Sequence, residues 1–143
     1  FLHVALNLIG LKGYEFLIDE GIRKTQYMAS RISAMPEFEL LVEPDTNLLI
    51  YRYIPEPLRE IVTKKQLTET DNQLLNKFNE KLQKNQRQIG STFISRTTKT
   101  ITSFGKETPV VAMRAVLANP LTTEEDIDAV LNDQIHIASE MSM

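Results

Sequence analysis

One arginine in this chain stands where a charge is costly. Arg114 lies inside the run VVAMRAVLAN, residues 110–119, with three or more apolar neighbours on each side and no acidic residue in the run. An unpaired guanidinium buried in a core costs on the order of several kcal/mol. Either its head reaches water over a packed stem, or something anionic meets it. Arg52, in the run LLIYRYI, raises the same question. Its place near a strand end, beside Tyr51 and Tyr53, favours an exposed or stacked head group.

Little else in the sequence has the spacing of a catalytic site. There is no glycine-rich phosphate loop, no Gly-x-Ser-x-Gly elbow and no His-Glu-x-x-His, and five glycines leave little material for a nucleotide cradle. The two histidines, His3 and His136, have no acidic cluster at ligand spacing, so no metal site is predicted. His136 reads as a surface or packing residue. Cysteine is absent, which excludes disulfides and thiol chemistry and fits a cytoplasmic location. A net charge of -3, with basic residues scattered among acids, argues against nucleic acid as a partner. No apolar run approaches the roughly 18 residues of a membrane span, so no membrane partner is expected. On these residues alone the chain supports a binding or regulatory role, with Arg114 as an anion anchor.

The elements that must position Arg114 follow from periodicity. The 143 residues, 42% hydrophobic and 24% charged, describe one ordinary globular domain. Phe1 already lies inside an apolar helical pattern (Leu2, Ala5, Leu6, Ile9) with no cap before it, so the chain is expected to be a piece of a longer one. Gly10 and Gly13 bracket a bend, after which Tyr14, Leu17, Ile18, Ile22, Ala29 and Ile32 mark the inner stripe of a second helix. Arg23, Lys24 and Arg31 fall largely off that stripe, and the helix should end before Pro36.

Residues 38–42 and 47–54 read as strands of a hairpin, joined by Glu43-Pro44-Asp45-Thr46. After Pro55 and Pro57 a short helical turn spans 58–65. Thr70 or Asp71 then caps a long helix with Leu74, Phe78 and Leu82 inside and Asn72, Asn76 and charged residues outside, ended by Gly90. A third strand is predicted over 91–98, and a turn over 103–108 containing Gly105 leads into the strand of Arg114. A last helix is expected to start at Thr122 or Thr123, and Thr122 with Glu125 has capping-box spacing. The expected fold class is α+β: a two-layer sandwich, with a four-stranded, mainly antiparallel sheet and helices on one face. The other face would be left for something outside the chain.

Several segments taken in order resemble a known family. They are Gly13-Tyr14-Glu15-Phe16-Leu17-Ile18-Asp19, Phe38-Glu39-Leu40-Leu41, Glu43-Pro44, Asn47-Leu48 with Tyr51-Arg52-Tyr53, and Arg114-x-x-x-x-Asn119-Pro120-x-Thr122-Thr123. Over nearly the whole chain they are similar to the C-terminal part of the group II pyridoxal-phosphate-dependent amino-acid decarboxylases, in the manner of the glutamate-decarboxylase-like enzymes and the aspartate 1-decarboxylases.

The resemblance implies a small domain of an aspartate-aminotransferase-type (fold type I) homodimer. Residues 1–35 would be linker helices to a large domain, and residues 36–143 the small domain. The Schiff-base lysine and most of the pyridoxal 5'-phosphate site would lie upstream, so none of Lys12, Lys24, Lys64, Lys65, Lys77, Lys81, Lys84, Lys99 or Lys106 takes that role. The expected partners are an amino-acid substrate and the large domain. In the glutamate-decarboxylase-like members the arginine matched by Arg114 binds a carboxylate of substrate or product, a task suited to a planar guanidinium. The implied activity is removal of the α-carboxylate of aspartate or glutamate. The alternatives are an aromatic-amino-acid or 2,4-diaminobutyrate decarboxylase, and a stand-alone α+β module that binds a small anion.

Overall fold

The computed structural model describes residues 2–103 and 106–141. Helix α1 (Leu2–Ala34) is broken at Gly10, whose φ of 74° and ψ of 169° suit a residue without a Cβ. The expected bend is therefore present, but the helix resumes at once rather than near Gly13. It stops at Ala34, ahead of Pro36. Strands β1 (Phe38–Val42) and β2 (Leu48–Tyr53) form the first hairpin, pairing Phe38 with Tyr53 and Leu40 with Tyr51. Helix α2 (Glu56–Thr63) follows, with Pro57 in its first turn where a missing N–H does no harm.

Helix α3 (Glu69–Ile89) starts earlier than the sequence suggested. Thr68, not Thr70 or Asp71, is the cap, and Asp71 closes a reciprocal box with it. Gly90 ends the helix with φ 77°. Its inner stripe is Leu75, Phe78 and Leu82, while Leu74 is exposed. The reading of Asn72 and Asn76 as solvated is overturned. Asn72 is buried, and both amides donate to the Pro109 carbonyl, at 3.2 and 2.9 Å.

The second hairpin is longer than expected and shifted along the chain. Strands β3 (Ser95–Ser103) and β4 (Lys106–Val116) pair from Ser95 with Arg114 to Ser103 with Lys106. The run 97–102, β-branched except at Lys99, finds a partner residue by residue, so pairing continues into the predicted turn. Residues 91–94 and 117–119 are not strand. The turn residue Gly105 lies outside the described residues. Helix α4 (Glu124–Ser139) is capped by Thr123, the second of the two expected starts, and its capping box, Thr123 with Asp126, lies one position later than Thr122 with Glu125. Thr122 is still held in the preceding turn, its N–H donating to the Asn119 carbonyl at 3.2 Å.

The sheet order is β1-β2-β4-β3, and every pairing is antiparallel. Two hairpins are thus fused through β2 and β4 into the expected α+β arrangement. Leu49, Tyr51, Tyr53, Met113, Ala115 and Leu117 face one core with Met28 and Ile32 of α1, Phe78 and Leu82 of α3, and Ile127 and Leu131 of α4. The opposite face is unevenly covered. At the Arg52 end, Asn72 bonds the guanidinium at 3.0 Å, and Leu58 and Leu75 pack on Ile54. At the other end Val42, Leu48 and Val116 are exposed.

Candidate functional site

Arg114 comes to the open end of that face. In β4 the residues Val110 to Met113 are all buried, and Arg114, which follows them, is exposed. Cross-strand pairing places Ile50 on one side of it and Ser95 on the other. The Ser95 hydroxyl donates to the Arg114 carbonyl at 2.6 Å and accepts from the Arg114 Nε at 3.4 Å. No carboxylate among the described residues lies within 4.0 Å of the guanidinium. Of the two readings of Arg114, its head group therefore faces outward and has donors to spare.

Beside it runs a cleft of about 410 Å³, large enough for a small ligand. Phe93, Ser95, Arg114 and Val116 form one wall, and Asp126 and Val130 of α4 belong to the other. Phe93 is an exposed aromatic, so the cleft offers a cation, a hydroxyl and an apolar surface together. A larger cleft of about 490 Å³ lies between Tyr53, Arg59 and Phe78. Its cation is already neutralised, because Arg59 meets Glu37 at 3.3 Å and donates to the Ile54 carbonyl at 3.2 Å. The free guanidinium decides in favour of the Arg114 cleft.

Arg52 has the opposite fate, and the exposed or stacked reading of it is wrong. It is 3% exposed and donates to Glu39 at 2.5 Å and to Asn72 at 3.0 Å. It is a structural charge, used up within the fold.

The walls of the Arg114 cleft are set by α1. The buried stripe of that helix agrees with the predicted one at Ala29 and Ile32, but Ile18 is exposed, and Lys24, Thr25 and Met28 are buried as well. Lys24 was expected off the stripe. Arg23 meets Glu124 at 2.7 Å and Arg31 meets Asp128 at 2.8 Å, so both reach from α1 to α4. The bond to Asp128 raises the Arg31 pKa. Tyr27 donates to the same carboxylate at 3.0 Å; partial burial first, and then Asp128, push its hydroxyl above the ordinary value. His136 is exposed, 3.9 Å from Glu140.

The sequence reading missed Phe93, Ser95, Asp126 and Lys24. Gly21 with Thr25, small residues one turn apart, was the one available signal that α1 packs closely there.

These residues do not by themselves make a pyridoxal phosphate site. No lysine lines the Arg114 cleft, and neither positive-φ glycine, Gly10 or Gly90, borders it. Among the described residues no cluster suits a metal ion, and no helix is long and apolar enough to cross a membrane.

No protein-family model matches the sequence. An aspartate 1-decarboxylase of Aliivibrio fischeri is 40% identical over 141 residues, covering 96% of this chain and 25% of that protein. The crystal structure of mouse CSAD superposes with a TM-score of 0.79 at 25% identity, over 98% of this chain and 27% of that one. Oryza sativa TDC, solved with PLP and tryptamine, gives a TM-score of 0.71 at 15% identity over 98% of this chain and 26% of that one, a likeness of fold alone. The chain thus spans about a quarter of the length of the proteins it matches. In fold it is similar to the C-terminal domain of the group II pyridoxal-phosphate-dependent decarboxylases, and in sequence to a quarter of an aspartate 1-decarboxylase.

Proposed function

We propose that this chain works as the small domain of a pyridoxal-phosphate-dependent carboxy-lyase that acts on an acidic amino acid, aspartate or glutamate. The bond from the α-carbon to its carboxylate breaks, carbon dioxide leaves, and a proton takes its place to give the amine. The cofactor, when bound, supplies the electron sink. The part assigned to this chain is to fix a substrate carboxylate on Arg114. The observation that carries the reading is the guanidinium itself, exposed at the mouth of a ligand-sized cleft, with no carboxylate partner among the described residues. The identity to an aspartate 1-decarboxylase supports the acidic substrate.

Residues 1–35 serve in this reading as the link to a large domain and residues 36–143 as the small domain. The second half of α1 is packed into the small domain's core through Met28 and Ile32. A cytoplasmic homodimer is part of the same proposal and rests on the family resemblance.

The test is Arg114→Lys in the full-length enzyme. A lysine keeps the charge and loses the planar fork, so kcat/KM for the acidic substrate is expected to fall by about 10-fold to 100-fold. Because the side chain is exposed, folding should be unchanged. An unaltered kcat/KM would remove Arg114 from the site. Carbon dioxide release from aspartate, glutamate, 2,4-diaminobutyrate and an aromatic amino acid separates this substrate class from the alternatives.

A further inference from the structure

The two walls of the cleft are joined by a short irregular segment. Residues 118–121 carry the chain from β4 to the turn that caps α4, and belong to neither element. Such a joint would let the Arg114 wall and the α4 wall move apart unless something held it. Lys24 of α1 does so. Its ammonium is buried, with the residue 4% exposed, and donates to the carbonyls of Pro120 at 2.8 Å and Asn119 at 3.4 Å. No carboxylate among the described residues lies within 4.0 Å of it.

A buried ammonium satisfied by backbone carbonyls alone is costly for stability by itself, and an apolar residue would fill that space more cheaply. What it provides is direction, because the carbonyls of residues 119 and 120 must both turn toward one point. Gly21, one turn earlier on the same helix, makes the second contact. A Cβ there would come 2.7 Å from the Leu117 carbonyl oxygen and 3.2 Å from the Cβ of Asn47. Asn47 in turn accepts the Leu117 N–H at 2.8 Å through its own carbonyl. The exit of β4 is therefore gripped at Leu117 by Gly21 and Asn47, and at 119–120 by Lys24.

We infer that Lys24 and Gly21 are positioning residues for the anion site: they fix the joint between β4 and α4, and so set how the Arg114 guanidinium faces a substrate carboxylate across the cleft. This rests on the reading of Arg114 as the carboxylate anchor. Neither residue touches the substrate. Misplacement of an anchoring group by about 1 Å can cost up to about 100-fold, so the effect is measurable from a distance.

The experiment compares Lys24→Met, Gly21→Ala and Arg114→Lys in the full-length holoenzyme. Each is assayed for KM and kcat, and for inhibition by glutarate against butyrate, which differ by one carboxylate. Lys24→Met is expected to raise KM and the glutarate inhibition constant about tenfold or more, with kcat and the butyrate constant changed far less. A role confined to stability would lower the active fraction and leave both constants alone; that result overturns the inference. Should Lys24→Met fail to fold, Gly21→Ala perturbs the same strand exit from the Leu117 side and carries the same expectation. If Arg114→Lys leaves glutarate inhibition unchanged, the anchor reading fails. If Arg114→Lys weakens glutarate while Lys24→Met and Gly21→Ala do not, only the positioning role fails.

Discussion

Arg52 and Arg114 stand on the same face of the sheet, and what separates them is whether a carboxylate is within reach. Cross-strand register puts Glu39 opposite Arg52, and α3 adds Asn72, so that guanidinium is spent inside the fold. Removing one partner of a buried pair typically costs about 3–5 kcal/mol. Glu39 keeps a third of its side chain in water, so Glu39→Ala should cost less, about 2 kcal/mol, by urea denaturation. Arg52→Met should cost less still, since the freed Glu39 can turn to solvent; the opposite order would contradict this account. The sequence exposed both arginines as misfits in apolar runs. It could not say which had a partner, because Glu39 and Asn72 reach Arg52 only through strand register and the start of α3.

Elements were legible where the cause is local. The break at Gly10, the stop before Pro36 and the cap at Gly90 all follow from one residue's backbone freedom. The cap of α3 was misplaced by two or three residues and the capping box of α4 by one, because neighbouring threonines offer the same side chain and hydrogen bonds elsewhere decide between them. Thr123→Ala should therefore lower stability by about 1 kcal/mol and Thr122→Ala by much less, as thermal unfolding would show.

Invisible in the sequence is a buried polar chain between elements. Tyr51 of β2 donates to Gln134 of α4 at 3.1 Å, Gln134 to Gln86 of α3 at 3.1 Å, and Gln86 to Thr92 at 2.7 Å, which in turn bonds Asp133. It ties the loop that carries Phe93 to the core. Burial raises the Tyr51 hydroxyl well above its ordinary value of 10.0, so the folded protein holds that proton while the unfolded chain releases it. Stability should then decline as pH rises past about 10. Tyr51→Phe leaves Gln134 unsatisfied and should cost about 1–3 kcal/mol at neutral pH, yet show a shallower decline in alkali. An equal alkaline slope in both proteins would exclude Tyr51 as the cause.

At the scale of the whole molecule, the layer order and the half-covered sheet followed from the pattern of runs, since each apolar face must be buried on something. The face of α1 followed only in part: Ala29 and Ile32 are buried as expected, but Ile18 and Lys24 exchange their expected places. A small domain without a lysine in its cleft should leave the absorption spectrum of added pyridoxal phosphate unchanged when studied by itself. A new band would place the reactive lysine in this chain. The first half of α1 has a practical consequence as well. Leu8, Leu11, Phe16 and Ile18 are all exposed, Leu8 by 81% and Leu11 by 79%. Such a helix is adhesive. The chain made alone should scatter light at modest concentration and be held by chaperones, and exchanging Leu8, Leu11 and Phe16 for glutamine should restore solubility without moving the melting temperature.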